Sequence, residues 1–513
     1  MKKILAGVCV VLLVMSMLTG CGQNTAGTNG GSENESSGQG GTTSDTLRVA
    51  LMGEPLGLDS TATNDGYSNV VEENIYDGLF QFDANGQVVP NVASEWTVSE
   101  DGCIYTFTIK EGVLFHNGAE VTAEDVAYTL ELASVSPSTS SLNCIQSVEV
   151  VDHHTVVATL NAPNALFLEK LATGDAAGIV CKAAREEMGE EAFSKNPVGC
   201  GAYMLKSWEE GTKIELEAFE DYHQGAAQIK NVVLRFIPEP TTATLSVESG
   251  EIDLTENVST ADLAAINTDI VAIHEQAGTH FNFLMFNTQN EKFADVKVRQ
   301  AIAHAVNKEN VVIAAMEGHG TVANSIARED LPGFDANTIV NNVYDVEKAK
   351  ELMAESSYPE GFEVEFKTIS GVSEKIAQMV QSDLSQIGIT VTIQLMEPSA
   401  FLQDVSNLNY EMGWFGLDSR TIDLAMFNTL LSTGGDLNVM GWSSTDYDEA
   451  NEVIMTNTDQ SMRADMVPVI QAVIDTECPI IPLFWKNSVT ISAKDLEGFE
   501  NTTRVLKYFN LHW

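Results

Sequence analysis

The segment from Asp418 to Asp423 concentrates charged side chains that could hold a small molecule, because two carboxylates flank the guanidinium of Arg420. A guanidinium donates two parallel hydrogen bonds from one planar fork, which suits a carboxylate or a phosphate. We therefore predict that Arg420 binds an anionic group of a ligand and that Asp418 or Asp423 binds a cationic one. The alternative is a surface Arg420 paired with one of these aspartates.

The thiol of Cys21 is a second position with a specific chemistry. Lys2 and Lys3 precede an apolar run that ends in Leu18-Thr19-Gly20-Cys21, which describes a secretory signal too short for a stable transmembrane span. The Leu-x-Gly-Cys ending resembles the bacterial lipobox, in which the cysteine thiol receives diacylglycerol before cleavage. We predict that residues 1–20 are removed and that Cys21 anchors the chain to the outer face of the cell membrane. The alternative is an ordinary signal with a chance cysteine.

The stretch that follows predicts a tether. Residues 22–45 are rich in Gly, Ser, Thr and Asn and contain no apolar side chain larger than Ala26, so they cannot contribute to a core. A flexible chain of this length spans roughly 25–30 Å. The tether would hold the rest of the protein close to the membrane.

Charge and composition restrict the partners of the remaining chain. Hydrophobic residues make up 44% and charged residues 19%, so a large core is available, and the length predicts two or three domains. A net charge of −46 argues against nucleic acid and anionic lipid as partners. Beyond the predicted tether five cysteines lack a CxxC spacing, and we expect them to be buried thiols with no assignable pairing.

The motifs of common enzyme classes are absent from the sequence, including GxSxG, HExxH and the Walker loop. Gly318 to Ala323 imitates a dinucleotide fingerprint, but this segment trails a predicted helix and does not follow a strand. We expect no cofactor, no metal site and no enzyme activity. A hydrolase with a site outside these motifs is the alternative.

Hydrophobic periodicity predicts an α/β fold. Strand-like residues 362–366, a helix over 376–387 and strand-like residues 391–395 form a βαβ unit, which builds parallel or mixed sheets covered by helices. Asp295 is a predicted helix N-cap, and Thr122 has the spacing of a capping box. His153 and His154 are predicted at a hairpin tip, where solvated turn residues are commoner than metal ligands.

Several sequence blocks carry a family resemblance that extends over nearly all of the chain after the tether. The segment Phe115 to Val126 (FHNGAEVTAEDV) resembles the signature of the extracellular solute-binding proteins that serve peptide- and nickel-type ABC importers. Further blocks similar to this family occur in the family's order, at Asn74–Leu79, Pro90–Gly102, Asn196–Tyr203, Gly250–Asp253, Val296–Asn307 and Ile480–Trp485.

The resemblance implies a two-lobe periplasmic-binding-protein-like fold, with mixed sheets flanked by helices and with an extra subdomain inserted in lobe I. Lobe I would comprise 46–80, 198–275 and 480–513, the inserted subdomain 81–197, and lobe II 276–479. The lobes would close over a small solute in a cleft, and the protein, expected to be a monomer, would deliver the solute to an ABC permease.

The resemblance also suggests which residues line the cleft. Relatives that bind peptides place an Asp three residues after a Trp of lobe II, but here Leu417 has that offset from Trp414 and Asp418 is displaced by one residue. Trp414 and Trp442 are predicted as apolar walls, with core packing as an equal alternative. Polar cleft residues are predicted at Asn64, Asp65, Tyr67 and Asn438, where an ordinary surface turn is the alternative.

Three functions remain open at this point. The first is the binding protein of an importer for a peptide-like, zwitterionic or anionic solute, or for a nickel-type metal chelate. The second is a lipoprotein that senses the same ligand, and the least favoured is a secreted hydrolase. The 405–445 stretch contains no histidine, which disfavours direct metal ligation there by imidazole, although a metal inside an organic chelator is compatible.

Overall fold

The structure is a computed structural model that describes residues 45–83, 87–137, 142–173, 177–418, 423–499 and 505–513. The predicted signal peptide, Cys21, residues 22–44 and Arg420 lie outside the described residues. Within the described ranges, no helix combines the length and the apolar character needed to cross a membrane.

Strands form where apolar and polar side chains alternate, so that one face of each strand can be buried. In one hairpin strand, for example, Val156, Ala158 and Leu160 are buried while the residues between them are partly exposed. The strands of the described residues are β1 (Thr46–Leu51), β2 (Phe80–Phe82), β3 (Val88–Pro90), β4 (Ala93–Val98), β5 (Ile104–Ile109), β6 (Ile145–Asp152), β7 (Thr155–Leu160), β8 (Tyr203–Glu209), β9 (Lys213–Ala218), β10 (Asn231–Phe236), β11 (Leu254–Thr255), β12 (Val271–Phe286), β13 (Gly320–Val322), β14 (Glu363–Ile369), β15 (Thr390–Met396), β16 (Met412–Leu417) and β17 (Ile480–Ala493).

Several helices begin at a polar side chain that caps the free backbone N–H groups of the first turn. Asp295 accepts a hydrogen bond from Lys297 N at 2.9 Å, which confirms the predicted N-cap. The helices of the described residues are α1 (Gly66–Ile75), α2 (Ala123–Val135), α3 (Phe167–Lys170), α4 (Lys182–Met188), α5 (Glu190–Lys195), α6 (Pro240–Glu248), α7 (Thr260–Leu263), α8 (Glu291–Ala294), α9 (Val296–Ala305), α10 (Lys308–Met316), α11 (Val346–Glu355), α12 (Val372–Leu384), α13 (Pro398–Ser406), α14 (Asn428–Leu431), α15 (Thr445–Thr456) and α16 (Gln460–Glu477).

One large mixed sheet runs through the body in the order β15-β14-β16-β12-β17-β11-β1-β10-β9-β8, with β13 on the edge of β17. Strands β14 and β15 are parallel and are connected by α12, which confirms the predicted βαβ unit. On the other side of the sheet β1 is parallel to both β10 and β11. The sheet thus contains two sets of parallel strands, one from each half of the chain.

A separate antiparallel sheet, in the order β4-β5-β7-β6, packs against α2 with its own hydrophobic core. The predicted hairpin is confirmed, with His153 and His154 at the turn between β6 and β7. The capping box is confirmed as well, because Thr122 N donates to Asp125 Oδ2 at 3.0 Å. This sheet lies within residues 81–197, the range predicted for the inserted subdomain.

Four further clusters of buried side chains among the described residues stabilise the large sheet, the smallest of them around Val247 and Ile491. One packs around Leu216 and Leu234 in the first half of the chain. In the second half of the chain both faces of the sheet are buried. One cluster packs around Phe366 and Ile376, and another packs around Phe283 and Phe427. The five cysteines are free thiols, and Cys181, Cys200 and Cys478 are buried as predicted, whereas Cys103 and Cys144 are only partly so.

Candidate functional site

Two long strands connect the two halves of the large sheet. Strands β12 and β17 pair antiparallel over most of their length, with an interruption of register between Ala277 and His280. Strand β11 joins β17 at Ile491 and Ser492, whereas β16 joins β12 between Phe281 and Phe286. First-half strands therefore attach at one end of the β12–β17 ribbon, and second-half strands attach at the other end.

The predicted lobe boundaries stay predictions, but the pairing suggests where the chain passes between the lobes. The predicted lobe I includes residues 480–485, whereas in the structure Ile481 and Phe484 pack in one second-half cluster and Ile480 and Trp485 in the other. We propose that the two crossings lie near the interrupted register of β12 and near Asn487 of β17.

The ribbon separates two sets of strand ends that point toward each other. The carboxyl end of β16, Leu417, is level with Phe281, which pairs with Trp485. The carboxyl end of β11, Thr255, is level with Ile491. At 3.3 Å per residue the stretch from Trp485 to Ile491 spans about 20 Å. Ligands of open α/β sheets bind outside the carboxyl ends of the strands, so this crevice is the candidate site.

Asp418 lies at the end of β16, inside the candidate crevice. Its carboxylate oxygen Oδ1 is 2.8 Å from His280 Nδ1, and 81% of its side chain is exposed. The hydrogen bond from His280, assisted by electrostatic attraction to His280 and Lys486, holds the pKa of Asp418 below its ordinary value. The predicted Asp418 is therefore an ionised carboxylate that faces solvent where the two lobes meet.

Trp414 lies on the same strand as Asp418 and is partly buried. Its indole nitrogen Nε1 donates to Asn282 Oδ1 at 3.1 Å, and its ring packs at the border of a hydrophobic cluster. Gly416 stands between Trp414 and Asp418, where a Cβ atom would come within 2.7 Å of His280 Nε2. The glycine leaves room for the imidazole beside the strand.

The other predicted residues of the second half are engaged inside it. Asp423 caps a short helical turn by accepting from Ala425 N at 2.9 Å, and it forms an ion pair with the buried Arg463. Trp442 is only 6% exposed and donates from Nε1 to Glu477 Oε2 at 2.8 Å. For these residues the structure provides local partners, and their contact with a ligand stays a prediction.

Asn438 serves its own loop in the structure. Its amide nitrogen donates to Ser432 O at 2.9 Å and to Trp442 O at 2.7 Å. These two bonds hold the turn in which Trp442 is packed. A direct contact between Asn438 and a ligand is likewise a prediction.

The predicted residues of the first half lie where β1 leads into α1. Asp65 caps α1 by accepting from the backbone of Tyr67 and Ser68, each at 3.1 Å. The ring of Tyr67 lies so close to Gly53 that a Cβ atom there would be 2.5 Å from it, and Asn64 is exposed. Because β1 is parallel to β11, this segment is on the side of lobe I that faces the second half.

Three charged or titratable residues of the crevice were not predicted from the sequence. His280 and Lys486 come from the crossing strands, and Glu256 follows the end of β11. The side chain of Glu256 reaches solvent, yet desolvation by the protein around it raises its pKa to about 7, which is typical of a carboxylate in a crevice. The only sequence signal is that these polar residues interrupt or end apolar strands.

A polar strap joins the lobes beside the crossing strands. Thr260 Oγ1 of the first half donates to Glu317 Oε2 of the second half at 2.6 Å, and Lys375 Nζ is 2.9 Å from Glu317 Oε1. His319 Nδ1 lies 3.0 Å from Glu275 Oε2 on β12. Glu317 has a φ of 52°, so the strap includes a backbone conformation that non-glycine residues rarely adopt.

Two α/β lobes, joined by two crossing strands and separated by a polar crevice at their strand ends, define the class of two-lobe binding proteins. The model of the family described as bacterial extracellular solute-binding proteins, family 5 Middle, matches residues 87–438, which is more than half of the chain. The chain belongs to this family. The family and the two-lobe α/β fold predicted from the sequence are therefore confirmed.

Two characterised proteins are similar in sequence to this chain over most of its length. Heme-binding protein A of Haemophilus influenzae is 26% identical over 507 residues, which covers 91% of this chain and 91% of the relative. The dipeptide-binding protein of Escherichia coli is 25% identical over 493 residues, with 88% and 92% covered.

Solved structures show the same architecture. HbpA2 from Haemophilus parasuis has a TM-score of 0.85 at 25% identity, with 91% of this chain and 99% of that chain covered. DppA from Helicobacter pylori, solved with the peptide STSA, has a TM-score of 0.72 at 27% identity, with 91% and 98% covered.

Proposed function

We propose that this protein is the substrate-binding component of an ABC importer and that it captures a small peptide-like or other zwitterionic or anionic solute in the crevice between its lobes. The observation that carries the proposal is the exposed, ionised Asp418 at the end of β16, where the carboxyl ends of both sets of strands converge. The names of its relatives, which refer to dipeptides and to heme, support a small solute.

Hinge closure is the physical means of capture in this proposal. A solute that contacts the strand ends of both lobes stabilises the closed arrangement over the open one. The free energy that drives closure equals the difference between its binding free energies for the closed and the open arrangement. The protein releases the solute to a membrane permease without converting it. Bending would be concentrated at the interrupted register of β12.

The direct experiment is mass spectrometry of the solute that co-purifies with the full-length protein, followed by calorimetric titration of that solute into the protein after refolding. Tight binding and recovery of the unchanged solute support the proposal. Turnover of the solute would support the hydrolase. Normal solute uptake by cells that lack the gene would contradict a role in import and favour a sensor.

Anchoring through Cys21 is part of the proposal, and it rests on the lipobox-like sequence together with the tether. We expect that Cys21→Ser removes the thiol that receives diacylglycerol, so that the protein no longer incorporates a labelled fatty acid. Two acyl chains anchor a protein durably, whereas their loss leaves only weak interactions. Metabolic labelling with a fatty acid, with Cys103→Ser as the matched control, tests this, and a Cys21→Ser protein that is still labelled would contradict it.

Arg420 is proposed to bind an anionic group of the solute. Replacing it by alanine would remove a charge-assisted hydrogen bond worth about 1.5–3 kcal/mol, which corresponds to a roughly tenfold to hundredfold loss of affinity. Arg420→Lys, which keeps the charge but not the planar fork, would lose less. Calorimetry with the co-purified solute measures both variants, and an unchanged affinity of Arg420→Ala would show that Arg420 is a surface residue.

A further inference from the structure

The polar strap joins two elements that are each fixed in the core of a different half of the chain. Thr260 is the first residue of α7, and Leu263 of this helix packs in a first-half cluster with Ala50. Glu317 follows α10, whose Met316 packs in a second-half cluster. Because buried side chains anchor both elements, a rotation of one lobe against the other changes the distance between Thr260 and Glu317.

The hydrogen bond between the lobes is short and has an ionised acceptor. Thr260 Oγ1 donates to Glu317 Oε2 at 2.6 Å, and the other carboxylate oxygen of Glu317 is 2.9 Å from Lys375 Nζ. The bond from Thr260, followed by the bond from Lys375, lowers the pKa of the Glu317 carboxyl, which is therefore ionised at neutral pH. Hydrogen bonds to ionised groups are stronger than those between neutral groups.

The backbone at Glu317 is held in a conformation that favours glycine. Its φ of 52° and ψ of 22° are left-handed, and its N–H donates to Val312 O at the end of α10. His319 N donates to Met316 O at 2.8 Å and closes the same turn. Unfavourable backbone conformations that the surroundings enforce are typical of positions whose side chain has a task. At Glu317 the side chain is the acceptor for the bond from the other lobe.

The strap is formed while the crevice is open to solvent. On the side of lobe II, 81% of the Asp418 side chain is exposed. On the side of lobe I, Asn64 is exposed as well. A contact that is present in one arrangement of two lobes and absent from another stabilises the first. A strap bond that is lost on closing therefore stabilises the open arrangement.

We propose that the hydrogen bond from Thr260 to Glu317 is a latch that holds the lobes open and that closing over the solute breaks it. This inference rests on the proposed function and adds a regulatory element to it. The latch lowers the fraction of the protein that is closed, so the apparent affinity for the solute is lower than the affinity of the closed arrangement. A solute that contacts only one lobe gains nothing from closing and leaves the latch intact.

Thr260→Val tests the latch, because valine has nearly the same shape as threonine but lacks the hydroxyl that donates to Glu317. The probe is the solute that co-purifies with the protein, identified by mass spectrometry and titrated into the refolded full-length chain. We expect the variant to bind this solute about fivefold more tightly than the wild type, because one hydrogen bond of the open arrangement is lost.

The kinetics of binding separate a latch from a general structural effect. The latch exists only in the open arrangement, so its loss should raise the association rate constant about fivefold and leave the dissociation rate constant unchanged. Stopped-flow measurements of tryptophan fluorescence give both constants. Lys375→Met removes the bond that positions Glu317 and should change the association rate constant in the same direction by a smaller factor.

Thr241→Val is the matched control. Thr241 Oγ1 donates to Asp262 Oδ2 of α7 at 2.7 Å, so this variant loses a similar bond to the same helix, but both partners belong to the first half. It should leave the affinity and both rate constants unchanged. The halves also meet where Ala165 N donates to Met455 O at 2.9 Å, a backbone bond that every variant keeps. Thermal denaturation shows that each variant is folded.

An equal gain in affinity for Thr241→Val, or a gain for Thr260→Val that lies only in the dissociation rate constant, would overturn the latch. If the wild type binds the co-purified solute and Thr260→Val binds it equally or more weakly, the latch falls and the proposed function stands. If the refolded wild type does not bind the co-purified solute, both fall.

Discussion

Replacing Lys308 by methionine lowers the free energy of unfolding by about 3 kcal/mol at pH 9, because two buried carbonyl groups lose their hydrogen-bond donor. Lys308 is 4% exposed, and its Nζ donates to Ala323 O and Asn342 O, each at 3.1 Å, and to Asn324 Oδ1 at 3.2 Å. Methionine has nearly the same length and fills the space without donating. The loss therefore reports the hydrogen bonds more than a cavity.

The size of this loss depends on pH. Desolvation lowers the pKa of Lys308 from its ordinary 10.5 to about 7 in the folded protein. Between pH 7 and 10.5 the unfolded chain binds a proton that the folded chain releases, so the contribution of Lys308 to the stability of the wild type rises with pH. Its maximum slope is about 1.4 kcal/mol per pH unit. Between pH 9 and pH 6 this contribution falls by about 2.7 kcal/mol, so we expect the variant to be less than about 0.5 kcal/mol less stable than the wild type at pH 6.

Urea denaturation at pH 6 and pH 9, followed by tryptophan fluorescence, measures this difference. Lys348→Met is the matched control, because Lys348 is an exposed lysine of α11 and its replacement should change the stability by no more than about 0.5 kcal/mol. A stability gap between the wild type and Lys308→Met that is the same at both pH values would contradict a neutral Lys308 in the folded state.

Asp475→Ala should cost about 4 kcal/mol, the largest effect that we expect from a single substitution in this cluster. Asp475 is 4% exposed. Its Oδ2 accepts from Val340 N and Asn341 N, each at 2.9 Å, and its Oδ1 accepts from Asn342 N at 3.0 Å and from Asn342 Nδ2 at 3.1 Å. Alanine would leave the N–H of the buried Asn342 without its acceptor and would remove the negative charge near Lys308.

The measurement is the urea midpoint of Asp475→Ala against Asp465→Ala, an exposed aspartate on the same helix, α16. We expect a large shift for the first and a negligible one for the second. The double variant with Lys308→Met should lose less than the sum of the single losses, because both residues hold Asn342. Additive losses would show that the two side chains act independently.

This cluster bears on the proposed function through the segment that it holds. Lys308 and Asp475 together fix the chain between Ala323 and Asn342. Arg328 of that segment donates to the carbonyls of Ala277 and Gly278, at 3.3 Å and 3.0 Å, where the register of β12 is interrupted. Variants that loosen the segment would therefore also change the bending of the lobes.

Local sequence patterns predicted local structure well. The βαβ unit, the hairpin with its His153-His154 tip, the capping box at Thr122 and the N-cap Asp295 are all present in the structure. These features depend on interactions within a few residues or on one periodic face, so the sequence contains the information directly. The lobe boundaries were harder to predict, because β17 belongs to both halves of the sheet.

For the candidate site, too, the sequence predicted the chemistry of single residues but not their long-range partners. The sequence identified Asp418 as a carboxylate available for a ligand, and in the structure it lies at the end of β16, exposed and beside His280. From their chemistry alone, Trp442 and Asp423 were equally good candidates for contact with a ligand. In the structure, however, Trp442 donates to Glu477 and Asp423 forms an ion pair with Arg463, both in the second half of the chain. Composition cannot distinguish these cases, because burial and pairing depend on segments far away along the chain.

The sequence by itself determined the family, the α/β class, the lipobox-like cysteine and the acidic character of this protein. Only the tertiary structure placed His280 beside Asp418 and Lys486 opposite His280 on the same face of the sheet, from positions more than 60 residues away from Asp418 on each side. That juxtaposition depends on which strands pair and in which register, and a shift of one residue would turn these side chains to the other face of the sheet. Pairing over such distances is decided by the packing of the whole core, which no local pattern specifies.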